Sequence, residues 1–153
     1  MNRRGVTLLE MLVVVSIVSL MAGLSLPSVF AGLDTLRLNE ASDSVAALLN
    51  VAVHRAERRQ NPVQLMVEPA NNRMWVRALP EGRERRLEMP AGVRILGVTP
   101  RLPDDQGQPR YFLVLPGATP PRIAIDLINE RGGRRTVRLD PITGVPVVER
   151  PAA

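Results

Sequence analysis

Glu10 is the residue of this sequence that most needs a chemical explanation. It is the one charge inside residues 6–26, VTLLEMLVVVSIVSLMAGLSL, an otherwise apolar stretch. A carboxylate in a membrane-spanning helix costs about 2.5–3.5 kcal/mol on insertion scales, and such groups are by default functional and paired. A cut after Gly5 would create the partner, because Val6 would then carry a free α-ammonium. Other chemistry is scarce. There is no cysteine, so thiol nucleophiles, disulfides and the common zinc sites are absent. His54 is the single histidine, too little for a histidine metal site, and on a helix it reads as a surface residue rather than a general base. Asp104-Asp105, with Gly107 nearby, lacks the spacing of a calcium loop, and no GxSxG, P-loop or GxGxxG is present. Neither enzymatic activity nor a cofactor or metal is expected.

Charge narrows the partners only slightly. All 20 cations are arginine, and the net charge is +5, which suits anionic surfaces in general. Total replacement of lysine reads as codon bias rather than as a tuned phosphate surface. With Trp75, Tyr111 and two phenylalanines as the only aromatics, a base-stacking surface is poorly supplied.

The elements that position these groups fall into two materials. As a helix, the apolar stretch 6–26 spans roughly 31 Å, close to the ~30 Å hydrocarbon core of a bilayer. Arg3 and Arg4 before it favour a cytoplasmic N-terminus. Pro27 is expected to kink or locally break the helix. Beyond it, Leu33, Leu36, Ala41, Val45, Leu48, Leu49, Ala52 and Ala56 recur at three- and four-residue spacing with charged residues between. That pattern predicts an amphipathic helix over about 28–59, ended by Asn61-Pro62.

After Pro62 the period becomes two. Val63, Leu65 and Val67 alternate with Gln64, Met66 and Glu68, and residues 69–72 turn the chain into a hairpin partner at 74–79. Further strands are predicted at 85–89, 93–98, 111–115, 123–128 and 135–139, with 145–148 as a last one. Ile123, Ile125 and Leu127 should face Val137 and Leu139 across the turn at 130–133, and 99–110 reads as a mobile loop. The expected fold class is α+β: a long N-terminal hydrophobic helix carrying a small antiparallel sheet or β-sandwich head on its amphipathic stripe.

Arg3-Arg4-Gly5, then Thr7-Leu8-Leu9-Glu10, then an apolar run resembles the leader and mature start of type IV pilins and type II secretion pseudopilins. In those families the first mature residue is usually Phe, where this chain has Val6. The resemblance implies cleavage between Gly5 and Val6 by a prepilin peptidase, N-methylation of Val6, and a pairing of Glu10 with a Val6 ammonium during assembly. An ordinary signal peptide, cut after Val29-Phe30-Ala31, and a plain membrane anchor are the competing readings; both leave Glu10 unexplained.

The C-terminal part carries the resemblance further. Tyr111–Gly117, Ile123–Ile128 and Arg135–Gly144 resemble the closing strands of the GspH/FimT group. Asp140-Pro-Ile-Thr-Gly144 also reads independently as a turn, with Pro141 fixing φ and Gly144 supplying a positive φ. The resemblance implies a leader at 1–5, a transmembrane and assembly helix at 6–27, an amphipathic helix at 28–61 packed on the head, and a periplasmic β domain at 62–153. It implies a non-enzymatic minor pseudopilin of type II secretion, single-pass in the inner membrane, whose partners are other pseudopilins or pilins in a helical filament. The alternative is a FimT-like minor pilin acting in pilus assembly or DNA uptake. For that alternative, Arg131, Arg134, Arg135 and Arg138 form a cluster able to contact nucleic-acid phosphate, although Gly133-Arg134-Arg135-Thr136 departs from the Gly-Arg-x-Arg motif of DNA-binding members. Gly82-Arg83-Glu84-Arg85 fits that motif but lies among glutamates, and reads as a solvated loop.

Processing is directly measurable. Mass spectrometry of the mature chain should show residues 6–153 with one methyl group on Val6, and Gly5→Ala should be cleaved only partially. A mature chain starting at Gly32 would mean an ordinary signal peptide.

Overall fold

The computed structural model describes residues 7–80, 82–101 and 107–150, without the side chains of 24–31. Gly5, Val6 and part of the expected loop at 99–110 therefore lie outside the described residues. Two compact units divide the chain, residues 1–33 and 34–153.

Helix α1 runs over Leu8–Arg59, and its backbone stays helical through position 27, so no local break is found at Pro27. Proline removes one N–H, leaving the Gly23 carbonyl without its helical partner, but this does not end the helix. In the first unit the described side chains from Thr7 to Gly23 are all exposed. Apolar residues all round a helix require another apolar surface to cover them. Among the described residues no helix is long and apolar enough to cross a membrane; the stretch expected to do so, 6–26, extends beyond the described side chains.

In the second unit the helix buries one stripe: Leu38, Ala41, Ser42, Val45, Leu48, Leu49, Ala52 and Ala56. The stripe starts later than the spacing suggested, since Leu33 and Leu36 are exposed. At 100° per residue Leu36 lies about 200° and Leu33 about 140° round the helix from Leu38, away from the covered face. Ser42, buried within the stripe, returns its hydroxyl hydrogen to the Leu38 carbonyl at 2.7 Å, so no polar atom is left unmatched.

Eight strands follow: β1 (Val63–Glu68), β2 (Arg73–Ala78), β3 (Arg85–Glu88), β4 (Val93–Thr99), β5 (Arg110–Val114), β6 (Ala124–Asn129), β7 (Arg134–Leu139) and β8 (Pro146–Glu149). They form two four-stranded sheets, ordered β3-β2-β1-β5 and β4-β6-β7-β8, and every pairing is antiparallel. Val63, Leu65 and Val67, Met74 and Val76, Ile123, Ile125 and Leu127, and Val137 and Leu139 join the helix stripe in one core. Met66 breaks the expected alternation. It lies on the outer face, yet its register neighbours Trp75 and Tyr111 leave it only 6% exposed.

Two turns connect the layers. Asn72, in the left-handed region at φ 50, accepts the Ile95 N–H on its side chain and the Met89 N–H on its carbonyl, both at 3.0 Å. It thereby ties the β1–β2 turn to β4. The Asp140–Gly144 turn behaves as its sequence implies. Gly144 adopts φ 70, and a Cβ there would meet Pro120 and Val53 at 3.3 and 3.4 Å. The Asp140 carboxylate accepts N–H bonds from Ile142 and Thr143, which hold its pKa below the usual carboxylate range.

Exposure on the helix separates two leucine truncations. Leu49→Ala should cost about 2–5 kcal/mol through lost burial and a cavity, whereas Leu36→Ala should stay within about 0.5 kcal/mol. Urea unfolding followed by the β-sheet signal reads both.

Candidate functional site

The N-terminal motif is a helix start. Thr7 Oγ1 accepts the Glu10 backbone N–H at 3.2 Å, and the Thr7 carbonyl accepts the Met11 N–H at 3.2 Å. Thr7 is thus the N-cap residue, and Thr7-Leu8-Leu9-Glu10 has the Thr-x-x-Glu spacing of a capping box. Sequence reasoning treated Thr7 only as part of a matching motif; its spacing to Glu10 was the signal for this second role. Glu10 is the acidic residue of the first turn, where the partial positive charge of the helix end favours it by about 0.3–1 kcal/mol. Its side chain is exposed, and among the described residues it forms no ion pair. Further along, Ser16 donates to the Leu12 carbonyl at 2.8 Å, so this hydroxyl is satisfied inside the helix in an otherwise apolar surface.

In the second unit the arginines of the β6–β7 hairpin go to separate neighbours. Arg131 Nε donates to Asp34 Oδ2 at 2.8 Å, and Arg37 approaches the other carboxylate oxygen at 3.8 Å. Arg135 Nη2 donates to Asn39 Oδ1 at 3.1 Å. Arg138 faces away from these and pairs with Glu149 across β7 and β8, which raises its guanidinium pKa above the ordinary value. Arg134 is exposed. Three of the four candidate phosphate contacts are therefore engaged within the chain.

Asn129 organises that hairpin. Its side chain is buried, with Oδ1 accepting the Gly133 N–H at 2.7 Å and Nδ2 donating to the Asp34 carbonyl at 3.4 Å. A Cβ on Gly133 would stand 3.0 Å from the Asn129 amide, so a larger residue there would press on the Asn129 side chain and its hydrogen bonds. The turn is in this way fixed to the helix at Asp34.

His54 is exposed on the helix and lines an open cavity with Val51, Arg55, Arg58 and Arg59. Cations suit this last helical turn because of the negative helix end. Among the described residues no group of three or more His, Cys, Asp or Glu side chains could hold a metal ion.

Comparison with known proteins agrees with the motif. Residues 1–26 match the prokaryotic N-terminal methylation motif. Over 110 residues, 71% of this chain, the sequence is 30% identical to type II secretion system protein H of Xanthomonas campestris pv. campestris. The match covers 63% of that relative's length, so the chain spans less than two thirds of it. No solved structure matches this chain.

The hairpin geometry ranks two substitutions. Asn129→Ala leaves the Gly133 N–H without its acceptor and should cost about 1–3 kcal/mol. Arg131→Ala removes a half-exposed ion pair and should cost less than about 1 kcal/mol. Thermal unfolding of the two variants should keep that order.

Proposed function

We propose that the chain works as a minor pseudopilin of a type II secretion system, a structural subunit drawn from the inner membrane into the periplasmic pseudopilus. The methylation motif at residues 1–26 and the similarity to protein H support a GspH-type pseudopilin. The observation that carries the reading is the capped helix start at Thr7–Glu10, followed by described side chains exposed as far as Gly23. Such a surface needs lipid before assembly and neighbouring helices after it. The head on its own helix stripe is already a closed core, so the apolar segment is available for packing with other subunits.

In this reading a prepilin peptidase cuts between Gly5 and Val6 and methylates Val6. Residues 6–27 hold the chain in the inner membrane with the head in the periplasm. Glu10 then pairs with the Val6 ammonium of a neighbouring subunit, and that pairing offsets the cost of a carboxylate in an apolar setting. The work is assembly and not catalysis. The arginine hairpin supports no second reading, because Arg131, Arg135 and Arg138 are taken up within the chain.

Glu10→Gln tests the pairing, since it keeps size and polarity and removes the charge. Membrane insertion, cleavage and the melting curve of the head should be normal, while incorporation into the filament, or secretion, is lost. Retained function would place the subunit at the filament tip, with no neighbour beyond it. Disappearance of the protein from the membrane would overturn the pairing, because Glu10 would then matter before assembly.

A further inference from the structure

Five arginines from two distant segments gather at the C-terminal end of α1, and the acids near them are committed elsewhere. Arg55, Arg58 and Arg59 lie in the last turns of the helix. With Val51 and His54 they line an open cavity of about 470 Å³, and no described carboxylate lines it. Arg55 is partly buried and donates from Nη1 to the Arg83 carbonyl at 2.9 Å, which brings the segment before β3 to the same flank of the helix. That segment is tightly folded, since a Cβ on Gly82 would stand 2.6 Å from the Ala78 carbonyl oxygen. Arg85 follows on the edge strand β3, opposite buried Val76 and therefore on the helix side of the sheet.

Glu57 lies about 160° round the helix from Arg55, where its carboxylate accepts the Gly117 N–H at 3.0 Å. Glu84 pairs with Arg86, which stands opposite Trp75 on the outer face of the sheet. Among the described residues none of the five arginines forms an ion pair. Arg55 is three and four residues from Arg58 and Arg59, spacings at which like charges repel. The negative helix end suits Arg58 and Arg59 in its last turn. It does not account for Arg83 and Arg85, which another segment supplies. An anion held among these side chains would relieve the repulsion.

The lining narrows the anion. Base stacking needs aromatic walls, and a protein hot spot needs a large apolar or aromatic anchor; this cavity has neither. A phosphate oxyanion needs only charge and forked N–H donors, which guanidinium groups supply. We propose that this crevice, centred on Arg55 and Arg58 and flanked by Arg83, binds a phosphate oxyanion, carried by a free oligophosphate or by a lipid headgroup. The proposal stands independently of the pseudopilin reading.

The chain's single histidine lies in the cavity, so the untagged full chain in uncharged detergent, labelled with 15N-histidine, reports from His54 alone. Pyrophosphate, added at fixed pH in about 0.15 M salt, should shift the His54 ring signals saturably, with half-saturation below about 1 mM. Arg55→Gln with Arg58→Gln should weaken binding at least tenfold with an unchanged melting curve. Arg94→Gln with Arg134→Gln, on the outer face of the second sheet opposite Ile128, should leave it within twofold. If the first pair lowers the melting temperature, Arg58→Gln with Arg59→Gln carries the same expectation. Micelles doped with phosphatidic acid distinguish the two sources: tighter binding than to pyrophosphate identifies a lipid headgroup, and weaker binding a free phosphate. A shift that stays linear in pyrophosphate, or equal weakening by both pairs of substitutions, overturns the site.

Discussion

One helical stripe, Leu38 to Ala56, is the floor on which both sheets rest. Four large side chains, Leu38, Val45, Leu48 and Leu49, alternate with the small ones, Ala41, Ser42, Ala52 and Ala56, and all are almost completely buried. The alternation lets residues of β1, β2, β6 and β7 converge on one element, in a single core that includes both sheets. Each large side chain removed from water contributes about 1.5–3 kcal/mol, so the stripe anchors the head by itself. A polar group inside it has to be satisfied locally, which is why Ser42 bonds back to Leu38.

Polar contacts then set orientation rather than supply stability. Asn72 joins the β1–β2 turn to β4, Asn129 and Arg131 hold the β6–β7 hairpin to Asp34, and Glu57 accepts the Gly117 N–H after β5. The ion pairs among these are at least partly exposed and individually weak. The amide and backbone bonds are stricter, because a buried donor without an acceptor costs more than its bond contributes. Hairpin arginines read as a cluster from their spacing alone are, for that reason, distributed to three different partners.

The covered stripe also explains what stays uncovered. On edge strand β5, Tyr111 and Leu113 face away from the core, as does Met66 beneath its aromatic neighbours. Apolar side chains beyond the reach of the core remain at the surface unless another molecule covers them. In the N-terminal unit the same reasoning applies on a larger scale, since a helix apolar on all sides has no face to give to solvent.

Local pattern alone determined much of this protein. The change of period from 3.6 to two after Pro62 placed the helix and all eight strands to within a residue or two, because period reports which way successive side chains point. Asp140–Gly144 marked its turn, because a turn depends on neighbours only a few residues away; the capping role of Thr7, equally local, was legible in its spacing to Glu10 but was read only from the structure. What period cannot report is which strand lies beside which. The pairing of β1 with β5 and of β4 with β6, the exposure of Leu33 and Leu36, the burial of Met66, and the separate fates of Arg131, Arg135 and Arg138 were decided by tertiary structure. Each depends on residues distant in sequence that meet only when two sheets close over one helix stripe.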